Sequence, residues 1–309
     1  LALVDPFEFI IVNFSSGVAA IYALHDLQQR SQLFQTAVIA TAVSVLTAMA
    51  FDFAQGMEIK SLDNMLYVYL FINGIFLLFS YPLLYLVEKL FGFVSSVTLI
   101  ELSNINNPLL RRLSKEAAGT FNHSMQVANL AADAASKIGA KVLLVRTGAM
   151  YHDIGKLKNP AFFTENQSGV NPHDQLSPEG SARIIISHVP EGLKLAEKNH
   201  LPSAVKSFIS THHGRSKAKY FYITWQNAHP GEKPDEDVFT YPGPNPSTRE
   251  QAILMMADSV EAASRSLKEY SDESISELVN RIIDTQIKEG YFRKCPITFD
   301  DIDKTKDVF

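Results

Sequence analysis

From Leu33 to Phe51 the chain reads LFQTAVIATAVSVLTAMAF, without one charged side chain. It is the middle of three such stretches. Phe7 to Leu24 is interrupted only by Glu8, and Met65 to Val87 is uncharged and rich in Leu, Phe and Tyr. Each approaches or exceeds the roughly 20 residues that cross about 30 Å of hydrocarbon as a helix. Buried core helices of a water-soluble fold are the alternative, but three uncharged segments joined by short polar links are rare there. The missing basic n-region argues against a cleaved signal peptide. Pro82 predicts a kink near the end of the third span, which lipid tolerates where neighbouring helices satisfy the freed carbonyl.

Charge divides the chain in two. Of its 28 basic and 33 acidic residues, all but ten lie beyond position 100: the exceptions are Asp5, Glu8, Asp26, Arg30, Asp52, Glu58, Lys60, Asp63, Glu88 and Lys89. Such a division means two solvents rather than one biased domain. Arg30 lies in the first link and Lys89, Arg111, Arg112 and Lys115 follow the third span, while Asp5 and Glu8 precede the first span and Asp52, Glu58 and Asp63, with one Lys, surround the second link. Positive residues gather on the cytoplasmic side. The spans therefore read out-to-in, back out, and in again, leaving everything after about residue 90 in the cytoplasm. Beyond residue 100, acids and bases nearly balance, which excludes the footprint of a protein that wraps long nucleic acid. The single cysteine, Cys295, excludes an intrachain disulfide framework and thiolate zinc fingers, and reads as a free cytosolic thiol. The chain opens at Leu1 rather than a methionine and reads as part of something longer.

The remainder is helical, with apolar periods near 3.6 and no convincing alternation. The expected organisation is a membrane segment over 1–92, a juxtamembrane linker over 93–118, a helical domain over 119–295 and a tail over 296–309. In the linker, Asn107-Pro108 favours a helix start, with Leu109, Leu110 and Leu113 on one face. A plain juxtamembrane helix and a signalling linker both fit. Helices are predicted near 120–137, 141–154, 179–188, 192–199, 202–213, 248–268 and 273–289. The first two should form an antiparallel pair around Gly139, and Ser177-Pro178-Glu179 and Ser247-Thr248-Arg249-Glu250 read as helix starts. Residues 214–247, with five prolines, several glycines and many aromatics, read as a long structureless connection, usually a functional one.

Five of the nine histidines fall with two aspartates in a telling order: His123, His152-Asp153, His188, His212-His213 and Asp258. A lone helical histidine is usually a core residue. Several near helix ends, in one half-domain without cysteines, are harder to dismiss. Imidazole and carboxylate donors suit iron, manganese or zinc, and a carboxylate can bridge two ions, so Asp153 is the natural bridge. Two ions would activate a water for in-line attack at phosphorus. Lys156, three residues beyond Asp153, could reach a phosphate oxygen or the leaving group as a point charge.

These residues carry a resemblance. His123, His152-Asp153 and Asp258 reproduce the H…HD…D pattern of the HD-domain metal-dependent phosphohydrolases. The runs ELSNINNPLLRRLSKEAAGTFNHS (101–124), YHDIGKLKNPAFFTENQ (151–167) and NPHDQLSPEGSARIIISHV (171–189) resemble the seven-transmembrane-receptor HD family, from about residue 60 to 290. The resemblance implies an all-α chain: transmembrane helices, then a cytoplasmic HD domain, in the bacterial cytoplasmic membrane. It implies a dimetal phosphodiesterase that hydrolyses cyclic di-AMP to pApA by metal-activated hydroxide attack on phosphorus. One ion would be held by His123, His152, Asp153 and Asp258, the other by Asp153, His188, His212 and His213. The family's ions are usually iron or manganese, with zinc as the alternative. The family's further spans and upstream extracellular sensor region are absent from this chain. The HD-GYP cyclic-di-GMP hydrolases would show Gly-Tyr-Pro soon after the double histidine, where this chain reads HHGRSKAKYFY. Alarmone hydrolases would show a Glu-Asp where Gly155-Lys156 follow. A phosphohydrolase acting on another nucleotide, and a nucleotide-binding sensor that does not hydrolyse its ligand, remain the competing readings. Expected partners are the cyclic dinucleotide and the lipid bilayer, with a homo-oligomer left open.

Weaker signals surround this core. Arg215, Lys217, Lys219, Tyr220, Phe221, Tyr222 and Trp225 follow the double histidine. Cations suit phosphates and aromatic faces suit adenine, worth roughly 1–3 kcal/mol per stacked base, so Arg215, Tyr220 and Tyr222 are substrate candidates. A loop packing its own aromatics is the equal alternative. His173 reads as a supporting or surface group and Arg183 as a surface ion pair; His25, His200 and His229 stand outside the pattern. The Asp/Lys run at 300–307 reads as a solvated tail.

Overall fold

A computed structural model describes residues 5–25, 31–58 and 64–309. Among these the chain is all-α; the sole β pairing is one isolated bridge, Lys217 with Thr240. Two compact units divide between Asn104 and Ile105.

The first unit holds α1 (Pro6–Leu24), α2 (Ser31–Ala54), α3 (Asn64–Phe91) and the short α4 (Ser96–Leu102). Asp5 caps α1, accepting from the Phe7 and Glu8 amides, with Pro6 in the first turn where its missing N–H costs nothing. All three long helices are long and apolar enough to cross a membrane, with mean hydropathies of 1.6, 1.9 and 2.0. Helix α2 packs against both α1 and α3, and 28% of its apolar window is buried against 6% for each of its neighbours. Phe14, Ile21, Tyr22, Phe71, Phe76 and Phe79 are left exposed, a surface that lipid favours and water does not. Three hydroxyls on α2 bond within their own helix, Thr36 to Gln32, Thr41 to Ala37 and Ser44 to Ala40, which keeps these groups satisfied in hydrocarbon. Gly74 lets α3 approach α2: a Cβ there would lie 2.5 Å from the Thr41 hydroxyl. Pro82 lies inside α3. Of the charges used to orient the spans, Arg30, Lys60 and Asp63 lie outside the described residues.

The second unit runs α5 (Pro108–Glu116), α6 (Ala118–Lys137), α7 (Val142–Tyr151), a 3₁₀ turn at Ile154–Lys158, α8 (Pro178–Lys198), α9 (Ser203–Thr211), α10 (Lys219–Ala228), α11 (Glu236–Phe239), α12 (Arg249–Ser264), α13 (Asp272–Lys288) and α14 (Phe299–Lys306). Asn107 caps α5 as its sequence predicts, and Leu109, Leu110 and Leu113 are buried. Truncating Leu110 or Leu113 to Ala removes a fully buried side chain and should cost about 2–5 kcal/mol. Helix α6 presents Ala128, Ala131, Ala132 and Ala135, small enough for α7 and α12 to close on it. Helix α12 is buried almost all round, from Gln251 to Glu261, and so forms the centre of the unit. The functional residues hang on this centre.

Three expectations change. The helices predicted at 179–188 and 192–199 are one helix, α8, with Pro190 inside it. Proline removes one amide donor, but Ala182, Val189 and Ala196 are buried on α8, and that packing carries the helix through. Residues 214–247 are not structureless: α10 and α11 fold back, and Trp225 and Phe239 pack on Ala182 of α8. Their aromatics, read as a loop's, are the apolar face of this small layer. The Asp/Lys run near the C-terminus is not a solvated tail but α14, with a capping box from Thr298 and Asp301 and buried Ile302 and Thr305. Its acids lie in the first turn and its lysines in the last, the order the helix dipole favours.

Candidate metal centre

The seven sequence-selected residues converge. His123 comes from the middle of α6, His152 caps α7 with Asp153 next, His188 sits inside α8 rather than at its end, His212 caps α9 with His213 next, and Asp258 lies in α12. All but His213 are buried, and His213 is partly so.

Most of these imidazoles are held from behind. His152 Nδ1 donates to the Ala149 carbonyl at 2.6 Å, His188 Nδ1 to Ile185 at 2.6 Å, and His212 Nδ1 to Ile209 at 2.9 Å. A carbonyl can only accept, so each ring carries a proton on Nδ1 and turns its Nε2 inward, where it offers a lone pair once that nitrogen is free of a proton. His123 differs: its Nδ1 faces the Glu261 carboxylate, which Arg265 steadies through Nη2 at 2.6 Å and Nε at 3.1 Å.

Asp153 stands between two groups. Its Oδ2 lies 3.2 Å from His152 Nε2 and 3.5 Å from His123 Nε2; its Oδ1 lies 3.4 Å from His188 Nε2 and 3.6 Å from His212 Nε2. Asp258 Oδ1 joins the first group, 2.9 Å from His123 Nε2 and 3.4 Å from His152 Nε2. The ligand atoms of His123, His152 and Asp153 all lie within 4.8 Å of one another, as do those of His188, His212 and His213. Gly155 makes this placement workable. A Cβ there would sit 1.8 Å from the His188 carbonyl oxygen, so only glycine lets the turn after Asp153 lie flat on α8.

The residues fit divalent cations. Asp153 Oδ1 and His152 Nε2 are sealed from solvent without a hydrogen-bond partner. His188 Nε2 and His212 Nε2 stand 3.1 Å apart with both rings' protons already committed behind them. Lone pairs and an orphaned carboxylate oxygen facing one another are costly unless a cation lies among them. Nitrogen and carboxylate donors without thiolate suit a first-row transition metal.

Electrostatics separate the halves. Burial opposes charge on His152, but the Asp153 and Asp258 carboxylates outweigh it and hold the ring up at about 10. His123 is raised the same way, against burial, by its bonds to Asp258 and Glu261. On the other side burial prevails: His213 is pushed down to about 3, with His188 adding to the effect, and His188 and His212 are also lowered. Asp153 and Asp258 stay ionised despite burial, Asp153 through His152 and Lys156, Asp258 through His123 and His152.

Lys156 is held between two carboxylates. Its Nζ is 2.8 Å from Asp153 Oδ2 and 2.8 Å from Glu165 Oε1, over the Phe163 ring at 4.9 Å. Glu165 is fixed in turn by the Thr120 hydroxyl at 3.0 Å. Arg215 is exposed and has no ion pair among the described residues, its amide bonded to Asn245 Oδ1 at 2.7 Å. Tyr220 is exposed, whereas Tyr222 is half-buried against Lys217 and Phe239. Trp225 is buried, its Nε1 donating to Glu179 at 2.6 Å, and Lys219 pairs with Glu289 at 2.9 Å. Most of the aromatic run therefore packs on itself. His173 donates from Nε2 to the Phe162 carbonyl at 2.9 Å and packs between Phe162 and Phe221, away from the seven. Arg183 is exposed and, among the described residues, makes no ion pair, contrary to expectation.

Sequence reasoning missed three neighbours. Glu261 was findable, being three residues after Asp258 and so on the same helical face. Glu165 and Tyr241, which stacks on His213 at 4.2 Å, arrive on long returns that no local period announces.

A helical domain whose His, His-Asp and Asp close round a buried cation site is of the HD type. Residues 120–263 match the HD domain family, and residues 2–95 match the family described as 7TM receptor with intracellular HD hydrolase. The chain is 38% identical over 297 residues to a cyclic-di-AMP phosphodiesterase, PgpH, of Listeria monocytogenes serotype 1/2a (strain 10403S), covering 95% of this chain and 41% of that protein. It is 38% identical over 294 residues to the PgpH of Bacillus subtilis (strain 168), covering 93% of this chain and 41% of that one. The crystal structure of the L. monocytogenes PgpH HD domain in complex with cyclic-di-AMP superimposes with a TM-score of 0.63 at 44% identity, over 65% of this chain and 93% of that one. The chain thus belongs to the family of seven-transmembrane receptors with an intracellular HD hydrolase. It spans about two fifths of the length of the full-length relatives it matches.

Proposed function

We propose that this chain is a membrane-anchored phosphodiesterase that hydrolyses cyclic di-AMP to the linear dinucleotide pApA. The observation that carries the reading is the division of Asp153 between two histidine groups, one oxygen to each. The substrate rests on the PgpH relatives and on the HD domain solved with that dinucleotide. His123, His152, Asp153 and Asp258 would hold one ion, and Asp153, His188, His212 and His213 a second. Iron or manganese suits this donor set. Bound divalent ions supply a lowered water pKa and neutralisation of phosphoryl charge.

The chain's own residues do the rest. The Nδ1 bonds hold the rings so that no reorganisation is needed during reaction. Lys156 adds a fixed positive charge beside Asp153, where a phosphate's charge has to be balanced. Arg215, two residues from His213 and without an ion pair among the described residues, offers its guanidinium for the second phosphate. Lys89, Arg111, Arg112 and Lys115, following the third apolar helix, support a cytoplasmic HD unit.

The test is product analysis. Full chain in detergent with manganese is incubated with cyclic di-AMP, cyclic di-GMP and dNTPs. Accumulation of pApA, with slower turnover of the others, is expected. Metal-loaded chain that leaves cyclic di-AMP intact would overturn the assignment.

A further inference from the structure

One side chain from the proline-rich return between α10 and α12 reaches the metal centre and has no part in the chemistry above. Main-chain pairing delivers Tyr241 there. Its N–H donates to the Ser216 carbonyl at 2.9 Å, the Ala218 N–H donates to the Phe239 carbonyl at 2.8 Å, and Lys217 bridges Thr240 between them. The pairing docks Tyr241 on the segment that leaves the double histidine. Its ring stacks on His213, with centroids 4.2 Å apart and planes at 30°, and stands edge-on to His188 at 6.0 Å.

The ring is buried, at 6% exposure, and its hydroxyl has no hydrogen-bond partner among the described residues. A buried phenol normally finds a partner for its O–H. Both histidines that the ring touches, His213 and His188, belong to the centre, so the ring lies against the centre's wall. With cations bound, the carboxylate oxygens and Nε2 atoms facing the centre act as acceptors, and the Lys156 ammonium is already shared between Asp153 and Glu165. Tyr241 brings a neutral donor, which an anionic phosphate requires. Tyr222, by contrast, directs its hydroxyl at Glu236 and its ring at Lys217.

Building on the phosphodiesterase reading, we propose that Tyr241 is a further catalytic residue whose hydroxyl donates a hydrogen bond to a non-bridging oxygen of the scissile phosphate. The bond strengthens as negative charge grows on that oxygen in the transition state. The phenol keeps its proton throughout, so no covalent step is added.

Tyr241→Phe keeps the ring on His213 and deletes only the donor. In the full, manganese-loaded chain it should lower kcat for cyclic di-AMP about 10–100-fold, with KM within about 3-fold and bound manganese unchanged. The same variant is assayed on bis(p-nitrophenyl) phosphate, a diester without bases, where a similar fall in kcat is expected. A parental kcat on both diesters, a loss confined to KM, or a loss of bound manganese overturns the role. If parental chain turns over the simple diester but not cyclic di-AMP, the substrate assignment fails while Tyr241 is still judged on the first.

Discussion

The two halves of the metal centre share Asp153 and differ in almost everything else. His123 and His152 face Asp258 and Asp153 Oδ2, with Glu261 behind His123, and both rings are held above their ordinary range. His188, His212 and His213 face one another and a single carboxylate oxygen, and all three are held below it. One half without metal is a set of buried ion pairs; the other is a set of neutral rings with lone pairs inward. A cation must displace protons to enter the first and need displace none from the second. The acids that strengthen a cation's hold on the first half thus also make its loading proton-coupled.

The largest effect breaks both halves together. Asp153→Ala removes the one carboxylate they share, and turnover should fall by at least about 10³-fold, with manganese content falling alongside. Near-parental rate in metal-supplied Asp153→Ala protein would remove the shared-bridge account. Chelation should likewise abolish activity, and manganese added back should restore it.

Loading metal-free chain at different pH values sharpens the contrast. Affinity of the first half should climb as pH rises toward about 10, where His152 gives up its proton. Affinity of the second half should stay nearly flat above neutrality, His213 being neutral down to about 3. Manganese titrations of His212→Ala, which keeps the first half, and His123→Ala, which keeps the second, read the two slopes separately. Equal slopes would erase the distinction.

These assignments were legible in the sequence to different depths. His152-Asp153 and His212-His213 could be selected because metal donors at helix ends leave a local pattern, His123 and Asp258 because they complete its order, and the caps Asn107, Ser177 and Thr248 marked the starts of α5, α8 and α12. Long returns were not legible. Glu165 reaches Lys156 through a run of 3₁₀ turns, and Tyr241 reaches His213 through paired main chain, neither with a period to read. The Asp/Lys run of α14 misled because charge alone does not separate a solvated end from a helix arranged to suit its own dipole. For the aromatics of α10 the sequence left substrate stacking and self-packing equal, because the two look alike in sequence; in the fold Trp225 and Tyr222 make packing contacts.

Glu261→Gln tests the first half more gently. A neutral amide keeps a partner for His123 but removes the charge that makes its ring a better donor. Manganese affinity of the first half should weaken about 10–100-fold while that of the second is unchanged. Lys156→Ala should lower kcat about 10-fold with both ions retained, because its charge lies beside Asp153 without occupying a donor position. Loss of metal in that variant would make Lys156 a structural strut instead.

The smallest expected effect is on stability of the metal-free chain. The unfolded chain binds a proton at His213 below its ordinary value of 6.5 while the folded chain refuses it down to about 3. Stability from this group is therefore full above about pH 6.5 and is lost progressively as pH falls toward 3. Denaturant midpoints at pH 7 and pH 5 should converge for His213→Phe relative to the parent. An unchanged gap would show that His213 is not held neutral.

The claim at the centre of this account is that a single carboxylate joins two ions. Electron paramagnetic resonance of the fully manganese-loaded chain reads this directly, since ions bridged by one carboxylate couple magnetically. The account predicts an exchange-coupled pair signal in the parent that is absent from Asp153→Ala. Two bound manganese ions giving only isolated, uncoupled spectra in the parent would contradict it.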